Sequence, residues 1–328
     1  MRVLDSGFWN VVTKKREERC KRADTLTHPL DMRGNNRSLL TDSNKKESFV
    51  DEDSQMISDH SIDVVIVTAV DDEFNAVREI YESNNCKHNI YSEKGFYYYL
   101  TSQVVDSKTI SIAIVKQKAM GLIHGAITAT AAIMTFNPKL IAMCGICAGI
   151  SNDAKLGDIL IPSATYNYES GKYDETGFHP ESCQRSLSSR IEQLVHHNPN
   201  THTQLVATIR NVNKIHFPDS LNCDVVQILH GPMASGGAVV ADPEIVESII
   251  QRQRNVSGID MEAAALAEAA HNVGSSETPW IVIKAVQDKA NFSKSDEFRD
   301  FGVRVSANML YKFIELYFAS CDSLNDEA

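Results

Sequence analysis

Hydrophobic patterning along the chain changes abruptly at Ile62. Before that point Arg, Lys, Asp, Ser and Asn dominate and no apolar period is sustained. Stretches such as 31–36 and 43–53 read as flexible connection, with at most a short polar helix over 11–21. Residues 1–60 are therefore expected to be a polar, flexible appendage that either meets a protein partner or meets nothing. From Ile62 the run Ile62-Asp63-Val64-Val65-Ile66-Val67-Thr68-Ala69 has the β-branched, unbroken character of a strand covered on both faces.

Apolar periodicity then alternates between the two regular structures. The segment 71–81 predicts a helix, with Asp71, Asp72 and Glu73 in the first turn and Phe74, Val77 and Ile80 along one face. Strands are expected over 97–105, 109–115 and 139–144, with a helix over 124–136 that Asn137-Pro138 ends. The small residues from Gly145 to Gly149 predict a turn, and 157–162 another strand. Little can be read between 166 and 224. Beyond it the pattern predicts strands over 225–233, 256–261 and 280–286, and helices over 243–253, 262–271 and 296–318. Strand alternating with helix from 61 to 320 makes one α/β domain, followed by a flexible tail over 321–328.

Composition narrows the function classes. With 43% hydrophobic and 23% charged residues in 328, the chain is able to bury a continuous core. A net charge of −11 argues against wrapping a nucleic-acid backbone, which draws on clustered Lys and Arg. No run approaches the roughly 18 apolar residues that span a bilayer, and the N-terminal residues lack the apolar centre of a signal peptide. A cytoplasmic location is expected, without membrane or nucleic-acid partners. The seven cysteines form no regular framework. Cys144 and Cys147 stand as C-x-x-C among apolar and small residues, where they read better as buried hydrophobes than as a redox or zinc pair. No His, Cys and Asp set has metal-ligand spacing.

Three acidic positions each follow an apolar strand: Asp71-Asp72-Glu73, Asp260-Met261-Glu262, and Asp288. Strand ends are where open α/β sheets present functional groups to a crevice, although a lone acid there often only caps a helix. Their context sharpens the reading. In order along the chain stand Ala69-Val70-Asp71-Asp72-Glu73, Met120-Gly121, Gly145-Ile146-Cys147-Ala148-Gly149, Gly157-Asp158-Ile159, Ala234-Ser235-Gly236, Asp260-Met261-Glu262-Ala263-Ala264 and Ala285-Val286-Gln287-Asp288-Lys289-Ala290. From Ile62 to about Phe318 the sequence resembles the nucleoside phosphorylase and nucleosidase superfamily, including its methylthioadenosine/S-adenosylhomocysteine nucleosidase branch. It also resembles the nucleosidase-like domains of stress and immune proteins, through Gly231 to Gly236 and the short spacing after Asp288.

That resemblance implies a three-layer domain with a central mixed β-sheet flanked by helices. It implies an enzyme that breaks the N-glycosidic bond of a purine nucleoside or nucleotide, adenine being the expected base, with no cofactor or metal. The bond breaks through a ribosyl cation-like state and the departing purine needs a proton, a task for a positioned carboxylic acid. Asp288 matches the family's acid, and Glu73 matches the carboxylate that activates water. Glu262 matches the glutamate that holds both ribose hydroxyls, with Met261 packing under the sugar. Gly145, Ile146, Cys147, Val239, Val240 and Asp260 complete the implied lining. The family also implies a homo-oligomer, because a neighbouring subunit often completes the pocket.

Two other functions stay open. A phosphorylase would need an anion site; Ile146 and Cys147 stand where phosphorylases often place Ser or Thr, although Arg78 keeps phosphate in play. A regulatory module that binds a nucleoside without turnover is the alternative of another class. Several positions depart from the methylthioadenosine branch: Asp260 replaces Glu, Val239 an aromatic, and Gln287 a Ser. Lys289 and Lys294 on the short loop after Asp288 are expected to admit a phosphorylated 5′ end, as in AMP or ATP.

Overall fold

The computed structural model describes residues 62–84, 89–93, 96–181, 183–216, 226–274, 276–291 and 297–322. All belong to a compact unit spanning Met56–Ala328. The expected appendage over 1–60, the loop residue Lys294 and positions 323–328 of the expected tail lie outside the described residues.

Strand β1 (Val64–Thr68) is buried along its whole length, as its unbroken apolar run requires. It lies between β4 (Lys108–Lys116) and β5 (Leu140–Gly149) and is parallel to both. On the β4 side, β3 (Phe96–Val105) and β2 (Asn89–Glu93) extend the sheet antiparallel. On the other side, β5 pairs in parallel with β14 (Trp280–Asp288), and its last residues pair antiparallel with β13 (Gly258–Asp260). The sheet continues through β12 (Met233–Ser235), β7 (Ala164–Asn167) and β10 (Arg185–Ser186), while β6 (Ile159–Leu160) and β11 (Ile228–Leu229) attach through β14. Twelve strands form this mixed sheet among the described residues, and β8 (Gly171–Asp174) with β9 (Gly177–Pro180) makes a separate hairpin.

Helices cover both faces. On one side α1 (Asp71–Ser83) and α4 (Pro199–His216) pack against the long C-terminal α7 (Arg299–Asp322), which also lies on β5 and β14. On the other, α2 (Leu122–Phe136) packs against α6 (Ala263–Asn272). Short α3 (Ser189–Glu192) and α5 (Pro243–Arg252) complete the described helices apart from a π-helical turn at Gln193–His197. One apolar cluster, with Trp280, Phe301 and Phe313 almost fully buried, joins the sheet to these layers. The expected three-layer α/β architecture is present.

Two local expectations fail for a shared reason. The small residues from Gly145 to Gly149 are not a turn but the second half of β5, because β14 and β13 supply backbone partners to the end of the segment. The strand expected over 225–233 is instead two short pieces, β11 and β12, that pair with different neighbours. Cys144 and Cys147, three apart on one strand, point to opposite faces. Burial pushes both thiols above their ordinary range, so they lie in β5 as neutral, packed groups.

Candidate active site

The C-terminal ends of β1, β5, β13 and β14 open into one cleft, as strand order in such sheets favours. Its wall includes Glu73, Ile146, Cys147, Val239, Val240, Asp260, Met261, Glu262 and Asp288. These residues, scattered over more than 200 positions of sequence, are therefore brought together. Gly145, expected beside them, is not itself part of the wall; it makes room for Glu73.

Of the three acids that open α1, only Glu73 turns inward. It is 2% exposed, whereas Asp71 pairs with Lys116 and Asp72 with Arg299 at the surface. Its Oε2 accepts the N–H groups of Ala69 (2.8 Å) and Val70 (3.3 Å), reaching back over the helix start as the acidic half of a capping box does. Oε1 accepts the Ile146 N–H at 3.4 Å. Gly145 has φ +152°, and a Cβ there would overlap Glu73 Oε1. The missing side chain thus lets β5 approach the carboxylate closely.

Asp288 ends β14 just after an irregularity in its pairing with β5: Val286 stands opposite Cys147, and Asp288 opposite Ala148. The extra residue, Gln287, joins Asp288 on the cleft wall. Asp288 Oδ1 accepts the Ala290 N–H at 2.9 Å, and Ala290 has φ +51°. A tight left-handed turn immediately after the strand therefore helps aim this carboxylate.

Glu262 and Asp260 form the floor. Glu262 is the N-cap residue of α6, and its Oε1 accepts the Gly121 N–H (2.8 Å) and Gln117 Nε2 (3.4 Å). Asp260 accepts Ser235 Oγ at 2.6 Å and the Ala263 N–H at 2.9 Å, and Ser235 in turn accepts the Ala264 N–H. Asp260 is thus committed to anchoring the start of α6 while one side of it faces the cleft. Burial raises the Glu262 pKa above the ordinary carboxylate value, with Lys284 opposing and Asp260 adding to the rise.

Lys284 was missed in the sequence. It lies in the middle of β14, 1% exposed, with Nζ 3.6 Å from Asp260 Oδ2 and 3.9 Å from Glu262 Oε2. Burial by itself would favour loss of its proton, yet Glu73, Asp260 and Glu262 outweigh burial and hold the ammonium above its ordinary range. The available signal was a lysine inside an otherwise apolar strand, Trp280-Ile281-Val282-Ile283-Lys284-Ala285-Val286. Met120, noted in the sequence only as part of the Met120-Gly121 segment, and Arg299, which left no signal in the sequence, also line the cleft.

Two cations considered in the sequence lie elsewhere. Lys289 donates to the carbonyls of Ser151 (3.2 Å) and Ala154 (2.6 Å) and is not on the cleft wall, which corrects its expected role at a 5′ phosphate. Arg78 lies along α1, 3.6 Å from Glu82, and is likewise outside the wall. Lys294, the other expected 5′ contact, lies outside the described residues.

Comparison with known proteins identifies the family. The chain matches the family model described as the phosphorylase superfamily over residues 63–315, and it belongs to that family. It is 33% identical over 216 residues to the uncharacterized protein y4jS of Sinorhizobium fredii (strain NBRC 101917 / NGR234), a match covering 65% of this chain and 51% of that protein, about half its length. It is 22% identical over 216 residues to a 5′-methylthioadenosine/S-adenosylhomocysteine nucleosidase of Bacillus thuringiensis (strain Al Hakam), covering 62% of this chain and 80% of the relative. Among solved structures, the fold is similar to the corresponding nucleosidase from Neisseria meningitidis in complex with methylthio-immucillin-A, with TM-score 0.56, 21% identity, and coverage of 77% and 98% of the two chains. It is also similar to futalosine hydrolase of Helicobacter pylori strain 26695, with TM-score 0.56, 19% identity, and coverage of 80% and 99%.

Proposed function

We propose that this protein hydrolyses the N-glycosidic bond of a purine nucleoside or nucleotide, with adenine the expected base. The observation that carries the reading is the convergence of Glu73, Glu262 and Asp288 on one cleft from three distant strand ends. The family assignment supports it, and so do the hydrolytic relatives.

In this reading the base lies at Asp288, which donates a proton to the purine ring as the bond to C1′ lengthens and its electron pair leaves with the base. Glu262 accepts hydrogen bonds from the 2′ and 3′ hydroxyls, and its negative charge favours the cationic sugar. Met261 packs beneath the ring. Glu73 takes a proton from water, whose oxygen bonds to C1′. The products are free base and ribose, or a 5′-substituted ribose.

Chromatography of products from adenosine, inosine, methylthioadenosine, S-adenosylhomocysteine, AMP and ATP, each with and without phosphate, tests the proposal. Free base must appear without phosphate. Ribose 1-phosphate formed only with phosphate would make the enzyme a phosphorylase, and tight binding without base release would make it a binding module.

The proposal includes a second copy of the chain. Met120, just before α2, and Ile123, Ile127 and Met134 within it are each more than half exposed, at spacings that place them along one helix face. Such a stripe favours burial against a partner, and Met120 joins it to the cleft. Ile127→Glu is expected to shift the protein toward monomer in sedimentation velocity; a wild type that is already monomeric would remove this part.

A further inference from the structure

The cleft wall carries four carboxylates, Glu73, Asp260, Glu262 and Asp288, and among its described residues a single cation, Arg299. Arg299 also lines an adjoining surface groove with Asp72, Asn75, Glu79 and Val303. It therefore borders both the cleft and a groove lined by α1 and α7. Its position is far from the Lys284 side of the site in character: its side chain is 35% exposed, and its Nε donates to Asp72 Oδ2 at 2.8 Å.

Only Nε is engaged in that bond, so the two terminal nitrogens keep a planar fork suited to a phosphoryl group. An exposed ion pair of this kind contributes at most about 1 kcal/mol, which makes Asp72 an exchangeable partner. Two other nearby cations among the described residues are committed. Arg304 is held by Glu79 (2.9 Å) and Asp300 (3.0 Å) and does not reach the cleft wall, and Lys289 is held by two backbone carbonyls.

We infer that Arg299 is the specificity residue for an anionic 5′ substituent, so that 5′-phosphorylated purine nucleosides are the preferred substrates. This rests on the assignment of the site above. With Asp288 at the base and Glu262 at the 2′ and 3′ hydroxyls, C5′ carries the one remaining substituent of the sugar. Arg299, beside the Asp72-Glu73 corner, is the cation that the described wall residues offer to a phosphate there. A phosphate replaces one carboxylate on the guanidinium with a group of greater charge and better matched geometry.

The test compares kcat/KM for adenosine, AMP and ATP in the full chain, with and without inorganic phosphate, for wild type, Arg299→Gln, Arg299→Lys and Asp72→Asn. Wild type is expected to prefer a nucleotide over adenosine by at least about tenfold, the scale of one charge-assisted contact. Arg299→Gln lowers the nucleotide-to-nucleoside ratio by roughly 10- to 100-fold, and Arg299→Lys restores part of it. Asp72→Asn raises the ratio by freeing the guanidinium. Using a ratio cancels any general loss of activity.

A wild-type ratio near one, or a ratio unchanged by Arg299→Gln while adenosine is still hydrolysed, overturns this inference and leaves the nucleosidase reading standing. Phosphate-dependent turnover that Arg299→Gln abolishes would assign the residue to the attacking anion and also overturn it. No base release from any of the three compounds overturns this inference, and the nucleosidase reading falls with it only if inosine, methylthioadenosine and S-adenosylhomocysteine also release no base.

Discussion

Lys284 and Arg299 both serve acidic neighbours, under opposite conditions. Lys284 is buried at the floor of the cleft, with two carboxylates within 4 Å and Glu73 adding to its electrostatic surroundings. Arg299 is one-third exposed at the rim and holds one surface carboxylate. Buried charges interact strongly but are costly to bring out of water, so removing one partner leaves the others uncompensated. Rim charges are screened and exchange partners at little cost. The first arrangement fixes the position of acidic groups, and the second leaves a cation available for a ligand.

Substitutions on the floor, at the rim and at the acids between them are expected to differ widely in effect. The largest concerns neither cation but the chemistry they flank. Asp288→Asn should lower the rate of base release by about 10²- to 10⁴-fold, the usual contribution of a general acid. Chemical denaturation should show little loss of stability, because the Ala290 N–H still finds an acceptor. A rate within a factor of ten of wild type would remove Asp288 from the proposed acid role.

Lys284→Met should cost about 3–5 kcal/mol of unfolding free energy in urea titration, since Asp260 and Glu262 would then be buried without their counter-ion. A loss below 1 kcal/mol would erase the distinction between floor and rim. The same pair of proteins gives a pH test. The folded pKa of Lys284 is raised above 10.5, so its stabilising contribution is fully present below that value and is lost as pH rises through the folded pKa. The gap in unfolding free energy between wild type and Lys284→Met should therefore narrow on the alkaline side of 10.5. A gap that widens there would have the wrong sign.

Gly145→Ala should destabilise by about 1–3 kcal/mol, the usual range for overpacking, because its Cβ would displace the Glu73 carboxylate. Activity should fall along with stability. An unchanged pH–rate profile and unchanged stability would show that Glu73 has room to move. The smallest effect is on the rim: Arg299→Gln should change unfolding free energy by less than about 1 kcal/mol. A larger loss would make Arg299 structural and weaken its assignment as a substrate contact.

The long, strongly patterned elements were legible in the sequence. The apolar run of β1 and the amphipathic spacing of α1 placed both within a few residues, because their burial repeats along the chain itself. The two- to four-residue strands between Ala164 and Ser235 are too short to show a period, and apart from the local β8–β9 hairpin each exists because a strand distant in sequence supplies hydrogen bonds. The second half of β5 was misread for the same reason: its glycines resemble a turn until β14 pairs with them. In the site, Glu73, Glu262 and Asp288 stood out as acids following apolar strands. Lys284 left a fainter signal as a charge in a buried strand, and Arg299 none, since its value depends on how α7 lies beside α1.

Taken by itself, the sequence determined an α/β chain from Ile62 onward, its main helices other than α4, and three acids at strand ends whose types suit glycosidic chemistry. Those properties follow from local periodicity and side-chain chemistry, which survive without knowledge of neighbours. Tertiary structure decided which acid of Asp71-Asp72-Glu73 turns inward, placed Lys284 beneath Asp260 and Glu262, withdrew Lys289 from the cleft and brought Arg299 to its rim. Each of these depends on the distance between residues far apart in sequence, and through-space electrostatics and packing are set by that distance.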